Sequence, residues 1–108
     1  MPIVSVLVPV YNAAAVLFRC LDSLCRQTLY DIQILCVDDC STDNSWQILS
    51  DYASRDSRIE IYKQPMNGGQ AKARNAAILH ASGTYVAFLD SDDWLSDDAL
   101  ERCVAVLI

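Results

Sequence analysis

Short apolar runs and longer amphipathic stretches alternate four times along the chain. "IVSVLVPV" at 3–10, "IQILCV" at 32–37, "IEIY" at 59–62 and "TYVAFL" at 84–89 are rich in β-branched and aromatic residues and predict strands. Between them the spacing turns helical. Val16, Leu17, Cys20, Leu21, Leu24 and Cys25 fall three or four apart on one stripe, and Trp46, Leu49, Tyr52 and Ala53 repeat the pattern more weakly. Ala73, Ala76, Ala77 and Ala81 predict a third helix with a face of small residues. Ser96 is placed to N-cap a fourth, with Asp97 and Asp98 in the first turn, where the helix dipole favours carboxylates, and Leu100, Cys103, Val104 and Leu107 along one side.

The order is therefore βαβαβαβα. Strands separated by helices imply right-handed crossovers, hence an α/β, Rossmann-like, mostly parallel sheet with helices on both faces. Near-continuous apolar strands suit a sheet buried on both sides. Ligands of such sheets bind beyond the carboxyl ends of the strands, near the point where strand order reverses. Polar clusters follow the strands: "YN" at 11–12, "DDCSTDNS" at 38–45, "NGG" at 67–69 and "DSDD" at 90–93. Asn12, Asp39 and Asp92 are expected to converge at one edge.

Composition narrows the ligand. The 108 residues are the size of one domain, and the net charge of −6 excludes the basic patch that nucleic-acid binding requires. A phosphate-bearing ligand would need a metal or helix N-termini to offset that charge. No charged leader with an apolar core opens the chain, and no apolar run is membrane-length, so a soluble cytoplasmic protein is expected. Five cysteines, at 20, 25, 36, 40 and 103, are an odd set without zinc-ribbon spacing, and read as reduced, mostly packed thiols. The ending "CVAVLI" has no glycine, basic turn or polar tail. It reads as a piece cut from a longer chain, whose uncovered apolar face either packs on another copy or stays exposed.

The aspartates after the fourth strand carry the chemistry. A calcium-binding loop accommodates Asp90, Asp92, Asp98 and Glu101 but fails at its glycine position, where Leu95 stands. A solvated loop explains Asp97 and Asp98 as dipole partners, yet leaves Asp90, Asp92 and Asp93 repelling one another by roughly 4 kcal/mol per close pair at an effective dielectric near 20. A hard divalent cation, Mg²⁺ or Mn²⁺, is the natural relief. Of Ser41, Thr42, Asp43 and Asn44, one is expected to cap the second helix, leaving Asp39 to meet a ligand. "NGGQAKARN" is a glycine turn opening a helix, where backbone N–H groups with Arg74 or Lys72 could face an anion. His80 is read as structural.

Together, "VSVLVPVYNAAAVLFRCLDSLCRQT", "VDDCSTDNS", "NGGQAKARNAAI" and "ASGTYVAFLDSDDWL" resemble the N-terminal half of a family 2 inverting glycosyltransferase with the glycosyltransferase A-type fold. The resemblance implies that residues 1–108 are the nucleotide-sugar-binding portion of a catalytic domain, with the acceptor half and the catalytic base beyond residue 108. It makes the acidic triplet a DxD-type motif, in which Asp90, Asp92 and Asp93 hold Mn²⁺ or Mg²⁺ against the diphosphate and Asp92 is the leading metal or ribose contact. Asp39 resembles the residue that reads the uracil edge. Pro9, Val10 and Tyr11 resemble the rim under the base, and Arg74 matches the family's "ARN". The implied partners are a UDP-sugar and an acceptor glycan or lipid-linked sugar, at the cytoplasmic side or the inner face of the membrane. Two alternatives stand beside this reading: a nucleotidyltransferase, and a non-catalytic protein-binding domain of the same fold.

Overall fold

The structure, a computed structural model, describes residues 2–107. Its elements are β1 (Val4–Val10), α1 (Leu17–Cys25), β2 (Ile32–Asp38), α2 (Ser45–Arg55), β3 (Ile59–Lys63), α3 (Gln70–His80), β4 (Tyr85–Phe88) and α4 (Ala99–Leu107). The strands form one parallel sheet in the order β3-β2-β1-β4, so the chain steps outward from β1 to β3 and then returns to the other side of β1. That reversal sets the helices on both faces. Val4, Val6, Val8 and Val10 of β1 and Ile32, Ile34 and Cys36 of β2 pack in one cluster with Leu17, Leu21 and Leu24 of α1, Leu49 of α2 and Leu100 of α4. Alternate residues Leu7, Leu35 and Val37 turn to the opposite face and meet Ala73 and Ala77 of α3. The small-residue face anticipated for the third helix is what lets it lie close on the sheet.

Continuous burial holds for β1 and β2, where every residue is buried, but not for the outer strands. β3 and β4 are edges, and the β4 side chains alternate, with Val86 and Phe88 about half exposed. An edge strand is covered only where a helix reaches it, which a reading of local hydrophobicity does not register.

Two features shape the upper rim. β4 ends at Phe88 opposite Leu7, while β1 runs on through Val8, Pro9 and Val10. The Leu7 carbonyl accepts from Leu89 N–H toward β4, whereas the Val10 carbonyl accepts from Asp39 N–H toward β2. Pro9, in phase with Leu7, thus faces the side where β4 has stopped, so its missing N–H costs no ladder bond. A proline in a central strand here marks a crevice.

The fourth helix corrects the sequence reading. It begins at Ala99 rather than after Ser96, and the Asp98 carbonyl accepts its first bond, from Arg102 N–H. Its entry is held instead from the segment just after α1: Gln27 accepts from Leu100 N–H and donates to the Ser96 carbonyl. The apolar face of α4 is partly covered within the chain, because Leu100 is buried and Val104 packs on the first cluster, while Cys103, Val106 and Leu107 are exposed. Ile108, the last residue of that stretch, lies outside the described residues.

Candidate functional site

The loops after β1 and β2 are sewn together first. Asn12 takes a left-handed φ of 47°, which asparagine tolerates, and its side-chain oxygen accepts from Thr42 N–H at 2.7 Å and Asp43 N–H at 3.3 Å. Asp43 returns the tie, accepting from Ala14 N–H and from both the N–H and hydroxyl of Ser45. The Ser45 bonds hold the Asp43 carboxyl below its ordinary value. Asp43 is thus the residue of the "STDN" set that serves the start of α2, and Asn12 supports the loop framework while bordering the site.

Asp38 and Asp39 separate because they are consecutive on a pleat. Asp38 points to the α1 side, fully buried, and takes the Ser41 hydroxyl and N–H. Asp39 points to the α3 side, and its two oxygens accept from Gly68 N–H at 2.9 Å and Gly69 N–H at 2.8 Å. This changes the expectation for the glycine turn. The anion its N–H groups face is Asp39, and Gly69, at φ 89°, supplies a conformation that side-chain-bearing residues rarely adopt. Arg74 is likewise engaged within the protein, and Lys72 is exposed, with its aliphatic stem against Gly68.

Above this turn lies an open groove with two lobes. One, of about 290 Å³, is bordered by Pro9, Val10, Tyr11, Asp39 and Asn67. The other, of about 430 Å³, is bordered by Asn12, Val16, Asp90 and Asp92, and Tyr11, Gln70 and Ser91 belong to both. Asn12, Asp39 and Asp92 therefore meet at the carboxyl edge, where strand order reverses between β1 and β4. Asp93 and Arg74 border neither lobe directly. Arg74 sits behind Asp90, at 3.3 Å from its Oδ1.

Asp90, Asp92 and Asp93 each offer a carboxylate oxygen, all within 4.8 Å of one another. A backbone turn from Asp93 N–H to the Asp90 carbonyl brings them together. The donor set suits a hard divalent ion: three carboxylates, exposed or half-exposed enough for water and ligand to complete a shell, and no hydrogen bond from the described residues to the carboxylates of Asp92 or Asp93. Their negative field also reaches beneath the loop. The Cys20 thiol is pushed up to about 12, first by burial and then by Asp93, Asp92 and Asp90.

Two helices clamp this acidic loop. From α3, Gln70 and Arg74 hold Asp90. From the α1 side, the Ser23 hydroxyl accepts from Leu95 N–H, Arg19 lies over the Trp94 ring at 4.7 Å, and Thr28 N–H donates to the Asp97 carbonyl. Gln70 and Ser91 were absent from the sequence-derived site. Ser91 lies inside the acidic stretch, and Gln70 follows the glycine turn, so position relative to those motifs was the available signal.

The chain is similar to known proteins over nearly its whole length. The family profile described as Glycosyl transferase family 2 matches residues 5–108. The chain is 48% identical over 101 residues to the glycosyltransferase EpsJ of Bacillus subtilis, covering 94% of this chain and 29% of that protein. It is 42% identical over 103 residues to the chondroitin synthase of Pasteurella multocida, covering 95% of this chain and 11% of that one. Among solved structures, residues 1–349 of TarS from S. aureus in complex with UDP-GlcNAc superpose with a TM-score of 0.91 at 34% identity, over 97% of this chain and 31% of that one. The mannosyltransferase PcManGT from Pyrobaculum calidifontis, in complex with GDP-Man and Mn²⁺, gives 0.88 at 30% identity, over 95% of this chain and 31% of its own. The chain thus spans less than a third of each of these proteins.

Proposed function

This chain belongs to glycosyltransferase family 2, and from that premise we propose that residues 1–108 are the donor-binding portion of an inverting sugar transferase that uses a UDP-sugar and a divalent cation. Membership sets aside the nucleotidyltransferase alternative. The observation that carries the reading is the joining, in one groove, of the Pro9–Tyr11 and Asp39 lobe with the lobe of the clustered aspartates. A flat apolar rim beside a carboxylate suits a nucleobase, and a carboxylate triad suits the metal that accompanies a diphosphate.

The roles follow from the chain's own groups. Tyr11, half exposed over the groove, offers a surface for the base, and Pro9 and Val10 form the floor beside it. Asp39 is held by two glycine N–H groups, yet each of its oxygens keeps a second lone pair for a base N–H. Asp92 and Asp93, with Asp90 beside them, would hold Mn²⁺ or Mg²⁺. Bound there, the ion would offset the diphosphate's charge as it departs from the anomeric carbon. In a single displacement, an acceptor hydroxyl attacks that carbon from the opposite face, and its deprotonation falls to a carboxylate outside these residues. The acceptor would be a glycan or lipid-linked sugar in cell-surface polymer synthesis, met at the cytoplasmic face of the membrane. No helix among the described residues is long and apolar enough to cross a membrane.

Calorimetric titration of UDP tests the reading. Affinity rises at least roughly tenfold when Mn²⁺ is added, because a domain of charge −6 otherwise repels a diphosphate. Asp92→Ala removes most of the rise. UDP binding that is equal with and without metal, or a metal effect that survives Asp92→Ala, returns the aspartates to a solvated loop.

A further inference from the structure

We propose that Gln70 is a positioning residue for the cation site: by fixing one oxygen of Asp90 it presents the other to the ion, and so sets the metal affinity. The inference rests on the donor-binding reading above. Its basis is an asymmetry in how Asp90 is held. The Gln70 amide donates to Asp90 Oδ1 at 2.8 Å, while Arg74 approaches the same oxygen only at 3.3 Å. The guanidinium does not commit fully to Asp90. Its carbon lies 5.5 Å from the centre of the Phe88 ring, and its Nε is buried without a partner. The shorter and better-formed restraint on Asp90 is therefore the neutral amide.

Both donors fall on Oδ1, and Oδ2 accepts no hydrogen bond from the described residues, so it is the oxygen left free for an ion at the cluster, where Asp90, Asp92 and Asp93 each bring a carboxylate oxygen within 4.8 Å of the others. A neutral donor matters here. An amide orients the carboxylate without cancelling its charge, whereas a second cation at position 70 would weaken the attraction that draws a divalent ion in. The residue supplying the amide is itself anchored. Gln70 opens α3, and the two positions before it, Gly68 and Gly69, are bound through their N–H groups to Asp39. Gln70 is otherwise solvent-exposed, and its only side-chain hydrogen bond among the described residues is to Asp90. That placement suits a role in orienting a ligand better than one in holding the fold, since partners behind metal-binding groups tune affinity by holding their orientation.

The test is Mn²⁺ binding to nucleotide-free protein, followed by electron paramagnetic resonance and by water-proton relaxation, for the wild type and Gln70→Met. Methionine keeps the length and helical preference and removes the amide. The variant is expected to bind Mn²⁺ roughly tenfold more weakly and to show greater relaxation enhancement, as water replaces a disordered Asp90 oxygen, with an unchanged thermal midpoint. A lowered midpoint with unaltered relaxation per bound ion would mark a structural role and overturn the proposal. Equal affinity and relaxation in the two proteins would overturn it alone, leaving the metal reading intact. A wild type that takes no Mn²⁺ would overturn both.

Discussion

Replacing Asp39 by alanine separates its structural contribution from the binding role proposed for it. Asp39 is 3% exposed, and its side chain receives two backbone N–H groups, at 2.9 and 2.8 Å, from a turn 29 and 30 residues away. Hydrogen bonds to a charged acceptor contribute about 1.5–3 kcal/mol each when the donors cannot find other partners. Here the turn borders an open groove, so water can reach part of the vacated space, and the lower end applies. Asp39→Ala is expected to cost about 2–4 kcal/mol, which for a chain of 108 residues is roughly 8–16 °C in thermal midpoint. Asp39→Asn keeps one acceptor but turns an NH₂ toward the other glycine N–H, and should fall between the two, at about 1–2 kcal/mol. Urea unfolding of the three proteins measures these differences, and amide exchange at Gly68 and Gly69 locates them. A loss below about 0.5 kcal/mol for alanine, or equal losses for the two variants, would show that the carboxylate does not fasten the turn. In ligand titrations the alanine variant should also weaken UDP both with and without metal.

Other expectations follow from groups remote from the groove. Gly83→Ala would set a Cβ 2.6 Å from Ser5 N and 2.8 Å from the Val4 carbonyl carbon, backbone atoms of a central strand that cannot yield, and a loss of about 1–3 kcal/mol is expected by chemical denaturation. Asp56 is lowered from 3.8 to about 2, first by its hydrogen bond from Arg58. A depressed carboxyl stabilises the fold above its unfolded value and loses that contribution as pH falls through its folded one, so stability should decline between about pH 4 and pH 2, and Asp56→Asn should flatten that decline in acid titrations. Thiol labelling at pH 8 should reach exposed Cys103 first, while Cys20, pushed up to about 12, and fully buried Cys36, raised further still by burial, react only on unfolding. Fast labelling of Cys36 in the folded protein would contradict the packing described.

The alternation of elements was legible because strand-length apolar runs and helix-spaced stripes differ in period, and each tight interval between them carries its own turn chemistry. The site's location was legible for the same reason, since polar residues that follow parallel strands gather at one edge. What escaped depends on contacts between distant segments. The start of α4 is governed by Gln27, 73 positions before the Leu100 amide it receives, so Ser96 had the local look of a cap without the role. The glycine turn looked open to an external anion because nothing local to "NGG" shows that Asp39, on another strand, arrives first. Exposure of Val86 and Phe88 follows from the place of β4 at the sheet's edge, which depends on strand order rather than on its own residues. Pro9 carried a signal that strand propensity conceals: a proline within a central strand points to a neighbour that stops short.

The central claim is that the carboxylates after β4 bind a divalent ion beside a nucleotide lobe. Paramagnetic broadening of amide resonances by substoichiometric Mn²⁺, before and after UDP, tests it most directly. The account predicts broadening centred on Asp90, Asp92 and Asp93, spreading to Gln70 and Tyr11 and sharpening in specificity once UDP is present, with shift changes at Gly68 and Gly69 next to Asp39. Asp92→Ala should abolish it. Broadening centred instead on Asp97, Asp98 and Glu101, or spread evenly over the acidic surface and indifferent to UDP, would contradict the account.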